Sequence, residues 1–285
     1  MQTVETIAAL RAATGAWRQG GERIALVPTM GNLHEGHLHL VAEAKRQARR
    51  VVVSIFVNPT QFGAGEDFAN YPRTEEADAA KLREAGVDLL FLPRVEEMYP
   101  GGSQGMSFVE VPGLSDRLCG KVRPGHFRGV ATVVCKLFNM VQPDLALFGE
   151  KDFQQLAVIR RMTRDLNLPV EIVGVPTVRE PSGLAMSSRN GYLSPEEKTR
   201  AAFLHQLLLR IADQLRAGQR DYAALETQGE HELREAGFAP DYLAIRRASD
   251  LEMPDTGDVE LVVLVAARLG KARLIDNISL GLGLV

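Results

Sequence analysis

Cysteine is scarce in this chain: 285 residues contain two, Cys119 and Cys135. They are neither close together nor spaced as metal ligands, so no disulfide framework or thiolate metal centre is expected, and reduced thiols in a cytoplasmic protein is the simple reading. An excess of one charge is missing as well. Lys and Arg total 33 against 36 Asp and Glu, a net charge of −3, which removes any global electrostatic reason to expect nucleic acid or an anionic membrane as partner. Long apolar runs are absent too, since the strongest, Leu261 to Ala267, is far too short to span a bilayer. Met1 to Gly21 has no basic start followed by an apolar core, so no signal peptide is expected. There is no internal repeat and no low-complexity tract. What remains is ordinary globular composition, 45% apolar and 24% charged, with enough length for one large or two modest domains.

Hydrophobic periodicity sets out the elements. Residues 3 to 19 have the spacing of an amphipathic helix, and Ile24 to Val27 that of a strand. Val51 to Val57 is apolar and β-branched with few polar interruptions, as expected of a strand buried on both faces of a parallel sheet. Thr74 to Ala85 predicts a helix with an acidic first turn, and Val87 to Leu92 a third strand. Helix 130–141, strand 144–148, helix 153–166 and strand 170–175 follow. This alternation implies a Rossmann-like, doubly wound parallel sheet. Pro176, Pro181 and Gly183 mark a change in composition, dividing the chain into regions 1–176 and 177–285. The second region predicts helices near 195–217 and 221–236, then strands near 241–246, 259–268 and 272–276, a smaller α+β domain.

The most informative stretch is Pro28-Thr29-Met30-Gly31-Asn32-Leu33-His34-Glu35-Gly36-His37-Leu38. A strand, a tight turn and a helix start succeed one another there. That arrangement aims unpaired backbone N–H groups and a positive helix end at an anion. His34 and His37 share one face of the helix start, and Gly36 leaves room for a flat ligand. Zinc is the competing reading, because His34, His37 and His39 crowd together. Zinc-protease helices, however, use H-E-x-x-H, and this chain has H-E-G-H, one residue short, with no cysteine nearby. The pattern therefore suits a phosphate and nucleotide cradle, and H-x-G-H resembles the signature of the nucleotidylyl-transferase superfamily.

Further segments carry polar chemistry. Asn58 to Gly63 forms a turn at a strand's carboxyl end, where open α/β sheets bind ligands. Gly101 to Gly105 is a connector or a flap. Lys121 to Gly129 is the most basic stretch and has the character of a solvated loop. Gly149-Glu150-Lys151-Asp152 repeats the strand–turn–helix unit with a lysine in the turn. Met186-Ser187-Ser188-Arg189 sets small hydroxyls beside a guanidinium, which suits either an S/T-rich turn before a helix or a clamp on phosphate oxygens.

Taken together, the strings VPTMGNLHEGHL, SIFVNPTQFGAGEDFANYPRT, RPGHFRGVATVVCKLFNMVQPDLALFGEKDFQQL, VGVPTVREPSGLAMSSRNGYLS and VAARLGKARLIDNI resemble the pantothenate synthetases. The resemblance runs nearly the whole length and is looser over the N-terminal helix, the 101–106 loop and 195–236. It implies ATP-dependent joining of pantoate to β-alanine through a pantoyl-adenylate, with AMP and pyrophosphate released.

The same resemblance implies an ATP site on Met30, Gly31, Asn32, Leu33, His34, Glu35, Gly36 and His37; on Gly149, Glu150, Lys151 and Asp152; and on Val178, Met186, Ser187, Ser188 and Arg189. In it, His37 is the proton donor, His34 a further donor to phosphate oxygens, Lys151 a point charge, and Ser187 with Arg189 a pyrophosphate clamp. Asp152 would hold a ribose hydroxyl. Pantoate falls to Gln61 and Gln155, β-alanine to Gln61, with Asn58, Arg123 and His126 weaker candidates. Mg²⁺ would come with ATP, held mainly by phosphates; the acidic first turn around Glu75 to Asp78 is a candidate to assist, but Ala77 interrupts it, so no protein metal ligand is assigned. A homodimer in the cytoplasm is the expected assembly. Region 1–176 would bind nucleotide and pantoate, and region 177–285 would act as a lid. A nucleotidylyl transferase acting on a phosphate-bearing substrate and a silent nucleotide binder are the alternatives. The complete set His34, His37, Lys151, Ser187 and Arg189 disfavours the second, because a binder needs no pyrophosphate clamp.

Overall fold

The computed structural model describes residues 1–63, 66, 68–102 and 105–282. Its contacts divide the chain into two compact units: Met1–Glu150 with Val158–Pro176, and Lys151–Ala157 with Thr177–Val285. Residues 151–157, which the sequence reading ran on into the first region, go with the second unit. There the Asn277 side-chain amide donates to the Lys151 carbonyl at 2.9 Å.

The first unit holds β1 (Gln2–Val4), α1 (Ile7–Gln19), β2 (Ile24–Thr29), α2 (Glu35–Gln47), β3 (Arg50–Ile55), α3 (Glu75–Glu84), β4 (Leu89–Phe91), α4 (Val95–Met98), α5 (Cys119–Val122), α6 (His126–Val141) and β5 (Leu145–Gly149). Next comes α7 (Phe153–Asp165), whose opening residues belong to the second unit, and then β6 (Glu171–Val175). The strands form one six-stranded sheet in the order β1-β4-β3-β2-β5-β6, with every pairing parallel.

Side-chain alternation explains the layering. Ala25, Val27, Val51, Val53 and Ile55 face a core shared with Leu40, Val41 and Ala44 of α2 and Leu82 of α3. Their neighbours Ile24, Leu26 and Val52 are fully buried on the opposite side, where α1 and α6 pack on β2. Each such Val, Leu or Ile contributes roughly 2 kcal/mol by leaving water. From β2 the chain winds out through β3 and β4 in one direction; from β5 it winds through β6 in the other. The reversal lies between neighbours β2 and β5, whose register pairs Ala25 with Leu145 and Leu26 with Ala146. A crevice for ligand opens outside the carboxyl ends of strands at such a reversal, and Met30 and Glu150 follow those two ends.

Two local expectations change. The helix read from residue 3 begins at Ile7, because Thr6 caps it with its hydroxyl accepting the Ala9 N–H at 3.2 Å. Gln2–Val4 instead adds a sixth strand beside β4, too short to show a period of its own. The basic stretch 121–129 is not a loop throughout, since it includes the end of α5 and the start of α6. In the connector read at 101–105, Ser103 and Gln104 lie outside the described residues.

The second unit contains α8 (Pro195–Ala201), α9 (Phe203–Arg216), α10 (Tyr222–Glu235), β7 (Ala239–Arg247), β8 (Glu260–Leu269) and β9 (Ala272–Gly281), the strands forming an antiparallel sheet in the order β7-β8-β9. Ser194 starts α8 through a reciprocal box with Glu197. Leu204, Leu208 and Ile211 of α9 share a core with Leu261, Val263 and Val265 of β8. The single helix read over 195–217 breaks at Ala202, where apolar residues continue across the join and leave no mark. β9 runs on past Asp276, a residue pair with Asn277 that has the composition of a turn. Both are buried in the strand.

Candidate active site

The turn after β2 is built by residues of α3. Thr29 donates its hydroxyl to the Ser54 carbonyl at 2.9 Å and accepts the Gly31 N–H at 3.2 Å. Gly31 and Asn32 then adopt φ of +82° and +51°. A Cβ at Gly31 would lie 3.1 Å from Ile55 and 3.2 Å from Asp78, so glycine is required by both backbone and space. Asp78 is 1% exposed. Its Oδ2 accepts the Asn32 N–H at 2.8 Å and the Thr74 hydroxyl at 2.9 Å, and its Oδ1 accepts the Leu33 N–H at 2.8 Å. Lys81, one helical turn on, donates Nζ to the Leu33 carbonyl at 2.6 Å. A buried carboxylate this fully hydrogen-bonded is a fixture of the loop.

His34 follows as the cap of α2. Its Nδ1 accepts the Gly36 N–H at 3.1 Å, while Nδ1 of His37 accepts the His34 N–H at 3.3 Å. The ring centroids stand 4.2 Å apart at 46°. A neutral imidazole that accepts at Nδ1 carries its proton on Nε2. Backbone geometry thus makes both histidines Nε2–H donors at the positive end of a helix. His39 is exposed. Among the described residues, no group of three or more His, Cys, Asp and Glu is arranged to hold a metal ion.

Gln61 forms a second wall of the same unit. It is 7% exposed, and its Nε2 donates to the Met30 sulfur at 3.1 Å. Asn58 donates Nδ2 to Gln61 Oε1 at 3.0 Å and to the Gly129 carbonyl at 3.2 Å. Gly129 permits this approach, because a Cβ there would come within 2.7 Å of the Gln61 Cα. His126 Nδ1 meets the Gln61 carbonyl at 2.8 Å and its Nε2 meets Arg123 at 3.1 Å. The partners require Nδ1–H to donate and Nε2 to accept. Arg123 in turn forms two 2.6 Å bonds to Glu66, which hold the Glu66 carboxyl down at about 2.

The second unit gathers Lys151, Asp152, Gln155, Val178 and 186–189. Lys151 and Ser187 line one small cavity with Asn190 and Asp276, about 10 Å³ in size and so room for about one water. Lys151 Nζ lies 3.8 Å from Asp152. Val178 and Met186 are joined by a 3.0 Å backbone hydrogen bond, and Arg179 bridges to Ala185 beside it. Ser187 accepts the Arg189 N–H at 3.2 Å, capping the short turn that carries the guanidinium. Asn190 donates to Glu180 and to the Ala185 carbonyl, each at 3.1 Å. Arg179 grips Asp276 with bonds of 2.6 and 2.9 Å. His205 sits 4.0 Å from that carboxylate. Burial first and Arg179 second push the imidazole down, outweighing Asp276, whose oxygens Arg179 already holds.

Residues 2–279 match the family model for pantoate-β-alanine ligase. The chain belongs to the pantoate-β-alanine ligase family. Over 282 residues it is 61% identical to the pantothenate synthetase of Methylococcus capsulatus (strain Bath), covering 99% of each chain. A crystal structure of pantothenate synthetase from Thermus thermophilus superposes with a TM-score of 0.90 at 52% identity, covering 98% of this chain and 99% of that one. The Francisella tularensis ligase, crystallised with β-γ ATP and β-alanine, gives 0.82 at 33% identity, covering 98% and 97%.

Several residues of this ligase chain escape a reading by motif: Asp78 and Lys81 under the turn, Tyr99 behind Asn58, and Asn277 against Lys151. The one sequence signal at Asp78 is its spacing four residues before Leu82, which puts a carboxylate on the buried face of α3, where it needs partners. Nothing local marks Tyr99 or Asn277.

Proposed function

We propose that this chain condenses pantoate with β-alanine at the expense of ATP, through a pantoyl-adenylate. A carboxylate is a poor electrophile. Its oxygen therefore attacks the α-phosphorus of ATP, and the bond to the bridging oxygen breaks to release pyrophosphate. The neutral amine of β-alanine then attacks the acyl carbon. The C–O bond to AMP breaks, the nitrogen loses a proton, and pantothenate results. Such chemistry asks for positioning and charge stabilisation rather than covalent help.

The paired Nε2–H donors of His34 and His37 carry this reading, with family membership behind them. As the α,β-bridging oxygen takes up negative charge, each donor strengthens its hydrogen bond, with His37 supplying the proton. The turn Met30–Leu33, together with Glu35 and Gly36, cradles the nucleotide against backbone. Gly149, Glu150 and Val178 belong to the same ATP site, where Asp152 holds a ribose hydroxyl. Lys151 offsets phosphate charge, Ser187 with Arg189 receives the pyrophosphate, and Met186 and Ser188 complete the ATP site. Gln61 and Gln155 bind pantoate, and Gln61 also meets β-alanine. Asp78 has its oxygens committed to backbone and Thr74, so it does not fit a metal ligand. Mg²⁺ enters with ATP as part of the substrate, held by phosphate oxygens. The resemblance to the family also supports a cytoplasmic homodimer, with the second unit closing as a lid. No described helix is long and apolar enough to cross a membrane.

Incubation with MgATP tests the reaction. AMP release should require both pantoate and β-alanine and match the amide formed mole for mole. A dinucleotide-like product with a phosphate-bearing acceptor would favour nucleotidylyl transfer instead.

A further inference from the structure

Asn58 is 1% exposed and its side-chain oxygen faces three donors: the Tyr99 hydroxyl at 2.8 Å, the Thr60 hydroxyl at 3.0 Å and the Thr60 N–H at 3.3 Å. Turning the amide over would set its NH₂ against the Thr60 N–H, which can only donate, and its oxygen against the Gly129 carbonyl, which can only accept. The orientation of Asn58 is therefore dictated by its surroundings, which is the proper ground for assigning an amide. Burial pushes the Tyr99 phenol up, so it stands as a neutral donor. With Oδ1 so engaged, Asn58 must donate from Nδ2, and it does so to Gln61 Oε1 at 3.0 Å and the Gly129 carbonyl at 3.2 Å. The Gln61 amide is then fixed in its turn. Its oxygen is held by Asn58, and its NH₂ is directed to Met30 Sδ at 3.1 Å. A thioether sulfur is a weak acceptor, so that NH₂ keeps most of its donor capacity for something better. The main chain of Gln61 is held independently, by His126 on its carbonyl at 2.8 Å.

We propose that Tyr99 and Asn58 are positioning residues that fix Gln61 as a hydrogen-bond donor toward the acid substrate, so that this wall reads an acceptor oxygen, a carboxylate or hydroxyl of a small hydroxy acid. An amide free to turn would offer either end and discriminate little. A fixed NH₂ favours an oxygen and leaves an acid lacking one facing an unpaired buried donor, the kind of contact that discriminates strongly. The relay runs in one direction, Tyr99 hydroxyl to Asn58, Asn58 to Gln61, Gln61 to substrate. This inference rests on the proposed reading that Gln61 binds pantoate.

The test is Asn58→Asp, which replaces the amide donor to Gln61 Oε1 by an acceptor at the same place. The Gln61 amide should turn over to donate to the new carboxylate and present Oε1 to the acid. By NMR on the substrate-free protein, the cross-relaxation between the Gln61 NH₂ and the Met30 methyl should vanish. In steady state, KM for pantoate should rise roughly 100-fold while KM for ATP stays within about twofold. Retention of that cross-relaxation, an unchanged KM for pantoate, or equal changes in both KM values would overturn the proposal. Should that variant not fold, Tyr99→Phe removes one donor to Asn58 and should raise KM for pantoate roughly fivefold with KM for ATP unchanged; no change there overturns it equally. A wild-type protein that releases no AMP with pantoate and β-alanine defeats the proposed reaction, whereas the amide orientation is read without substrate and stands or falls separately.

Discussion

Asp78 and Leu33, forty-five positions apart in sequence, are joined by a 2.8 Å hydrogen bond from the Leu33 N–H to the carboxylate. Through it, α3 sets the turn from which both histidines project. The neighbouring Asn32 N–H meets the other oxygen at 2.8 Å, so Asp78→Asn must put an NH₂ against one backbone N–H. Leaving that N–H unpaired in the interior costs about 2 kcal/mol. The variant is expected to melt several degrees lower and, while still folded, to turn over more than tenfold more slowly. Thermal unfolding and kcat measured on one preparation check both, and an unchanged kcat would show that the turn is held by other means.

The histidine pair can be dissected atom by atom. His37→Asn keeps an acceptor near the Nδ1 position, preserving the bond from the His34 N–H, but deletes the Nε2–H donor. His37→Gln keeps a donor near the Nε2 position and loses the acceptor. Removing one donor that acts on developing charge costs about 10²–10³ in rate. The Asn variant is therefore expected to retain stability and lose that factor in single-turnover adenylate formation. The Gln variant should keep more rate and lose more stability. The reverse ranking would remove Nε2–H from the chemistry.

Acid stability should carry the signature of one ion pair. The Glu66 carboxyl is held at about 2, against an ordinary 4.5, chiefly by its hydrogen bonds to Arg123. A carboxylate with a depressed folded value stabilises the protein fully above the unfolded value, and that contribution is lost as pH falls from about 4.5 to 2. Glu66→Gln should flatten the decline in unfolding free energy across that window and leave the slope above pH 5 unchanged. Chemical denaturation at stepped pH measures it, and an identical slope in the variant would mean the pair is open in solution.

Legibility in the sequence followed distance along the chain. The strands β2 and β3 were legible because burial on both faces leaves short apolar runs, Ile24–Val27 and Val51–Val53. The turn at His34 and the Ser187–Arg189 loop were legible because their polar groups are consecutive. Partnerships between remote positions were not. Nothing near Asp78 reveals Leu33, and nothing near Asn277 reveals the Lys151 carbonyl. The strand read over 272–276 stopped short of Asn277, because buried polar residues in a strand make sense only once Arg179 is seen across from them. The tautomers of His34 and His37 depend on backbone direction, which side-chain spacing does not encode.

Oxygen tracing tests the central chemistry most directly. Pantoate labelled with ¹⁸O in its carboxylate, turned over with ATP and unlabelled β-alanine, should deliver one labelled oxygen to the phosphate of AMP, because the acid's own oxygen becomes the bridge that is later cleaved on the acyl side. AMP free of label, or label appearing in inorganic phosphate beside ADP, would contradict a pantoyl-adenylate and the donor role assigned to the two histidines with it.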